Sequence, residues 1–173
     1  MRNIKNSIVK GLHEHLQVEV VPTDTADRKP KYPYLSYKIT TSLESDTFSL
    51  VDDIVESDSL DFEYDVEVTR KEQAHFTMSI NAYSDNDDVA HELAVKATNW
   101  FKFHGYFDLV NTNVAVVNVT SITDRTQQIV DDYERRYGFD VRIRAAMAIK
   151  KRIETIEEHK FNSDNERRGN NNG

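Results

Sequence analysis

Apolar residues recur every four positions at the start of this chain, at Ile4, Ile8, Leu12 and Leu16, with Val9 widening the stripe. That period turns one face toward a neighbour and predicts a helix over 3–17. Gly11 lies inside it, where glycine costs about 1 kcal/mol relative to alanine but lets a neighbouring group come close. A polar loop over 23–33 follows, bounded by Pro22, Pro30 and Pro33. The period then drops to two. Leu35, Tyr37 and Ile39 alternate with Ser36, Lys38 and Thr40, the pattern of a strand over 34–41. The same alternation runs through Phe62, Tyr64, Val66 and Val68, and again through Phe76, Met78, Ile80 and Ala82. Between these two runs, residues 70–73 contain no Gly, Pro or Asn. No tight primed turn is signalled there, so two strands and one long bent strand both stay open.

A second helix begins after Ser84, Asp85, Asn86 and Asp87. Their side chains can accept hydrogen bonds from first-turn amides, and the acids suit the positive end of the helix. Val89, Leu93, Ala97, Trp100 and Phe101 form its expected buried stripe, and Gly105 is the expected left-handed stop. Two further strand-like runs follow. In the first, Val114 and Val116 are followed by an offset Val117/Val119 pair; in the second, Phe139, Val141, Ile143 and Ala145 alternate with Asp140, Arg142 and Arg144. The link between them, 124–136, carries both signs of charge and has the character of a structured loop or short helix. The fold class that follows is α+β: one domain over 1–157, with a mostly antiparallel or mixed sheet and an N-terminal and a central helix packed on it. The Asn-rich residues 158–173 read as a disordered polar tail.

Charge narrows the function. The 173 residues carry 30 acidic and 22 basic side chains, a net charge of −8, which opposes generic nucleic-acid binding. Without cysteine there are no disulfides, thiolate nucleophiles or Cys-ligated zinc. No apolar run approaches a membrane span and the N-terminus lacks a signal-peptide core, so the expected site of synthesis is a cytoplasm. Residues 42–61 hold Glu44, Asp46, Asp52, Asp53, Glu56, Asp58 and Asp61 with no Lys or Arg. A solvated loop or extended hairpin explains them, and so does an acidic arm that docks on a partner.

Catalytic grammar is missing. Asp85, Asp87 and Asp88 suggest a calcium loop, but the sixth and twelfth positions are Ala90 and Lys96 where Gly and Glu are needed. His13 and His15 diverge on a helix, the other histidines are scattered, and no phosphate-binding glycine loop or nucleophile elbow occurs. Asn118-Val119-Thr120 matches a glycosylation sequon by chance. The expectation is a non-enzyme with no catalytic, cofactor or metal residues and no cofactor.

Four segments carry more information together: YPYLSYKIT over 32–40, SINAYSDNDDVAHELAVKATNWF over 79–101, ITDRT over 122–126 and DYERRYGFDVRIR over 132–144. In this order they resemble the neck or tail-terminator proteins of tailed bacteriophages, the last segment most specifically. The resemblance implies a subunit of a homo-oligomeric ring, typically a hexamer, in the virion neck. Such a ring ends the tail at its head-proximal end and meets the tail tube or sheath protein on one side and head-completion or connector proteins on the other. DNA passes through its lumen without specific binding, and no membrane is involved. Ring interfaces favour aromatic and Arg anchors with mixed charge, which makes Asp131, Asp132, Tyr133, Glu134, Arg135 and Arg136 the expected interface residues. Simple solvation of those charges around a buried Tyr133 is the competing view. The rival functions are a head-completion protein of the same neck and an acidic DNA mimic that occupies a host protein.

Overall fold

The computed structural model describes residues 2–24, 29–44, 47–56, 64–129 and 132–154. Glu44 and Asp132 are described in their backbone only, and Asp46, Asp58, Asp61, Asp131 and the 158–173 tail lie outside the described residues. In chain order the elements are α1 (Arg2–Leu16), β1 (Glu19–Pro22), β2 (Tyr34–Glu44), β3 (Phe48–Glu56), β4 (Tyr64–Ser84), α2 (Asp87–Asn99), a π-helical turn (Trp100–His104), α3 (Tyr106–Asn111), β5 (Val114–Val119), β6 (Thr123–Asp124), β7 (Gln127–Ile129) and β8 (Asp132–Glu154). The fold is α+β. The sheet runs β1-β2-β4-β8-β5, with β3 on β4 and both β6 and β7 on β8. β1 lies parallel to β2, while β2/β4, β5/β8, β6/β8 and β7/β8 are antiparallel, so the sheet is mixed.

The described residues form two compact units, one within 1–49 and 71–148 and the other within 50–70 and 149–173. The first holds the core. Ile8 and Leu12 of α1 and Leu93, Ala94 and Ala97 of α2 pack on Leu35, Phe76, Met78, Ile80, Phe139, Val141 and Ile143 of the sheet. The period-two runs of β2, β4 and β8 therefore point their apolar set at the helices, as their alternation requires. The second unit combines most of β3 with the first part of β4 and the last part of β8.

Several sequence expectations change. Of the two alternatives left open for the runs over 60–69 and 74–83, the structure takes the continuous one: 64–69 and 74–83 belong to one strand, β4, and 60–63 lies outside the described residues. The 42–61 stretch contains the strand β3, with Asp52, Asp53 and Glu56 exposed on it. Where a loop or short helix is expected over 124–136, the described residues instead form the end of β6, β7 and the start of β8, because the amides and carbonyls of β6 and β7 find partners along β8. β1 had no visible period in four residues and exists through its parallel partner. Asn86 is the residue that caps α2, its Oδ1 accepting from the Val89 amide at 3.1 Å. Val89 is consequently at the rim and 40% exposed, and Ala90 and Ala94 take its expected place in the stripe. Gly105 is not left-handed, with φ −84°. The helix closes there by a π-type bond from the Gly105 amide to the Trp100 carbonyl at 2.8 Å. The two left-handed non-glycine residues among those described are Gln17 and Asn113.

The Val116/Val117 offset has a structural counterpart: the β5/β8 register shifts between Val116 and Asn118. An extra residue there returns Val119 to the core face and leaves Val117 exposed.

Candidate functional site

The sheet face opposite the helices is where the four quoted segments meet. β4 presents Ser79 and Asn81 there, alternating with the core residues Ile80 and Ala82. β8 presents Gly138 and Asp140, alternating with Phe139 and Val141. Gly138 pairs with Thr123 of β6. From the residue after β6, Arg125 reaches across β8 to β4. Its Nη1 donates to Ser79 Oγ at 2.9 Å and to Asn81 Oδ1 at 3.0 Å. Its Nη2 meets Asp140 Oδ1 at 3.3 Å and its Nε donates to Thr123 Oγ1 at 3.3 Å.

Gly138 makes this crossing geometrically feasible. A Cβ at that position would collide with Asn81 Oδ1 and stand 2.7 Å from Arg125 Nη1. The backbone holds the same crossing: the Arg125 amide donates to the Arg136 carbonyl at 2.7 Å, and the Arg136 amide to Thr126 Oγ1 at 3.3 Å. Asp124 Oδ1 accepts from the Thr126 amide at 2.8 Å. A hydrogen bond from the Thr126 hydroxyl, and then this one from its amide, lower the Asp124 pKa, because both favour the charged carboxylate. Thr120 of the sequon is engaged with Asp140, accepting from its amide at 2.9 Å.

Beside this clamp lies an aromatic ladder. Tyr34 and Tyr83 are register partners on β2 and β4, with rings stacked at 4.7 Å and 4°. Tyr32 continues the stack at 5.7 Å from Tyr34. The Arg136 guanidinium lies 5.8 Å from the Tyr83 ring and donates to its hydroxyl at 3.4 Å. Glu134 accepts from the Tyr32 hydroxyl at 3.1 Å and pairs with Lys29, which also bonds Tyr32. Burial raises the pKa of Tyr34, and the Glu134 charge raises it further. Burial opposes the Lys29 ammonium, but hydrogen bonds to Glu134 and Tyr32 outweigh it and its pKa is raised.

The expected interface residues thus divide. Glu134 and Arg136 are engaged within the chain. Tyr133 is 52% exposed, not core, with the Arg135 guanidinium 5.0 Å from its ring. Sequence reasoning missed Arg125, whose signal was its place inside ITDRT between Thr123 and Thr126. On the helix side, a groove of about 430 Å³ follows β5, lined by Phe101, Lys102, Tyr106, Leu109 and residues 114–119. Phe103 and Phe107 nearby in the chain are each 75% exposed. Among the described residues no three His, Cys, Asp or Glu side chains gather as a metal site, and no helix is long and apolar enough to cross a membrane.

A polar clamp and a tyrosine ladder thus tie β2, β4, β6 and β8 together on the face of the sheet opposite the helices. A family model described as phage neck terminator protein matches residues 6–166 of the 173. The chain belongs to that family, and is a bacteriophage tail structural protein of the neck. No curated protein matches it.

Proposed function

We propose that this protein forms a ring at the head-proximal end of the tail, where it terminates the tail, joins it to head-completion proteins and lets DNA through its lumen. The observation that carries this reading is the family match over 6–166, which spans all four quoted segments. Two features of the molecule support it. The clamp joins three of those segments on one face of the sheet, giving the surface around Tyr133 and Arg135 a stiff base. The net charge of −8 suits a lumen that repels phosphates and lets DNA slide. The role needs positioned surfaces and no catalysis, so the protein acts as a structural component and not as an enzyme. Its partners are copies of itself, six to a ring, the tail tube or sheath protein and a connector.

The test is a phage lacking this chain, examined by electron microscopy after growth on a host that does or does not supply it. Without the protein, filled heads and separate tails should accumulate, with tails of irregular length. Supplying it should restore joined particles, and averaged images of the neck should show a ring containing it. Normal joined particles in its absence would overturn the reading and favour a role outside the virion, such as the DNA mimic. Correctly sized tails that lack only the head joint would move the protein to the head-completion ring.

A further inference from the structure

Among the described residues, the sheet of the second unit has two open edges of opposite charge. Among the described residues β3 pairs only with β4, which leaves its other edge open. On the far side, the pairing of β5 with β8 runs only as far as Ala145, so 149–154 has no strand on that flank among the described residues. The β3 edge bears Asp52, Asp53 and Glu56, and the β8 edge bears Lys150, Lys151 and Arg152.

The faces are sorted as well. Lys150 bonds Glu67 of β4 at 2.6 Å, so these two share one face, and Asp65 and Thr69, in phase with Glu67 on β4, are buried. On β3 the half-buried Val51 and Val55 alternate with the exposed Leu50, Asp52, Ile54 and Glu56, which puts Asp53 on that same more buried face. By strand alternation the other face carries Leu50, Ile54, Tyr64, Ile149 and Ile153, all five exposed. On that apolar face β3 adds Asp52 and Glu56, and β8 adds Lys151.

Open strand edges are templates for pairing. Two β3 edges meeting would oppose acid to acid, and two β8 edges base to base. An acidic edge against a basic edge matches charge with charge and brings Leu50 and Ile54 toward Ile149 and Ile153. Such a contact is heterologous, the kind that repeats from copy to copy and closes into a ring. We propose that β3 of one copy pairs with the 149–154 end of β8 in the next copy, so that the second units form one sheet continuous around the ring. This rests on the ring reading above and names the surface that makes it.

The experiment reverses each edge and then both. A phage lacking this chain is supplied with Asp52→Lys/Glu56→Lys, with Lys151→Glu/Arg152→Glu, or with all four changes in one chain. Lys150 is kept because it bonds Glu67, and because Arg152 also has an interaction within its own chain, the reversal of the β8 edge is repeated at Lys151 alone. Each single-edge reversal should lower infectious yield by about tenfold or more, since like charges then face each other at the contact. The four-fold variant restores opposite charges and should recover most of the yield. Circular dichroism melting shows whether each variant is folded.

A second measurement does not depend on charge. The chain has no cysteine, so chains with Ile54→Cys and chains with Ile149→Cys are incorporated together and treated with a short bismaleimide. Cross-linked dimer should exceed that from either chain alone. Folded reversals with normal yield, or a mixture that cross-links no better than its components, would overturn the pairing. Either result would leave the terminator reading standing, because that reading fails only if particles join without the protein.

Discussion

Arg125 ties together residues 44 and 46 positions away in the chain, Asn81 and Ser79. The reach works because Gly138 places no side chain between them. Gly138→Ala should therefore displace the guanidinium and leave the Asn81 acceptor, itself buried, short of a partner. The expected loss is about 1–3 kcal/mol, read from urea unfolding. Arg125→Lys should lose a similar amount, because one ammonium cannot serve Ser79, Asn81 and Asp140 together; wild-type stability in both variants would show the clamp to be idle. The tyrosine ladder gives a pH dependence. Tyr34 and Lys29 both have raised pKa values in the folded chain, so the folded state holds protons that the unfolded state releases above about pH 10. Their stabilisation is complete below that pH and is lost as pH rises. Unfolding midpoints should stay level from this cause between pH 7 and 9 and fall toward pH 11, and Tyr34→Phe should flatten the alkaline limb.

At the scale of elements, α1, α2 and the π turn are organised around one indole. Trp100 is 2% exposed. A Cβ on Gly11 would stand 2.5 Å from Trp100 Cζ2, and one on Gly105 2.5 Å from Cε2. Phe101 meets Trp100 edge-on at 5.0 Å and Phe139 of β8 at 6.1 Å, which links the helix layer to the sheet. Two effects compete in Gly11→Ala. Helix propensity gains about 1 kcal/mol, while forcing a methyl into a rigid ring costs about 1–3 kcal/mol. The steric effect should win, and the thermal midpoint should fall. Trp100→Ala should cost about 3–5 kcal/mol. A gain in stability from Gly11→Ala would mean that the indole can move aside.

For the whole molecule, the adjacent arginines that look alike in sequence have different duties. Arg136 is held against Tyr83 within the fold, whereas Arg135 lies by the exposed Tyr133 ring. Arg136→Ala should lower stability. Arg135→Ala with Tyr133→Ala should change it by no more than about 0.5 kcal/mol and yet reduce head–tail joining, if this corner is an assembly surface. Melting curves and particle counts by microscopy separate the two; full particle yield from the Tyr133/Arg135 variant would remove that corner from assembly.

Periodic burial is written into the order of residues, so α1, β2, the two halves of β4, α2 and the inward set Phe139, Val141 and Ile143 were legible without coordinates. Each repeats often enough for the hydrophobic effect to choose a face. The four family segments were legible too, and with them the kind of protein. Tertiary structure decided the rest. β1, β6 and β7 have four, two and three residues, too few to show a period, and form because distant strands offer backbone partners. The continuity of β4 through 70–73 depends on its neighbours in the sheet. Asn86, chosen over its polar neighbours, sets the phase of α2 and exposes Val89. The Arg125 clamp and the opposite charges on the two edges left open among the described residues depend on which strands lie side by side. Pairing across tens of residues is an outcome of packing, and no local pattern encodes it.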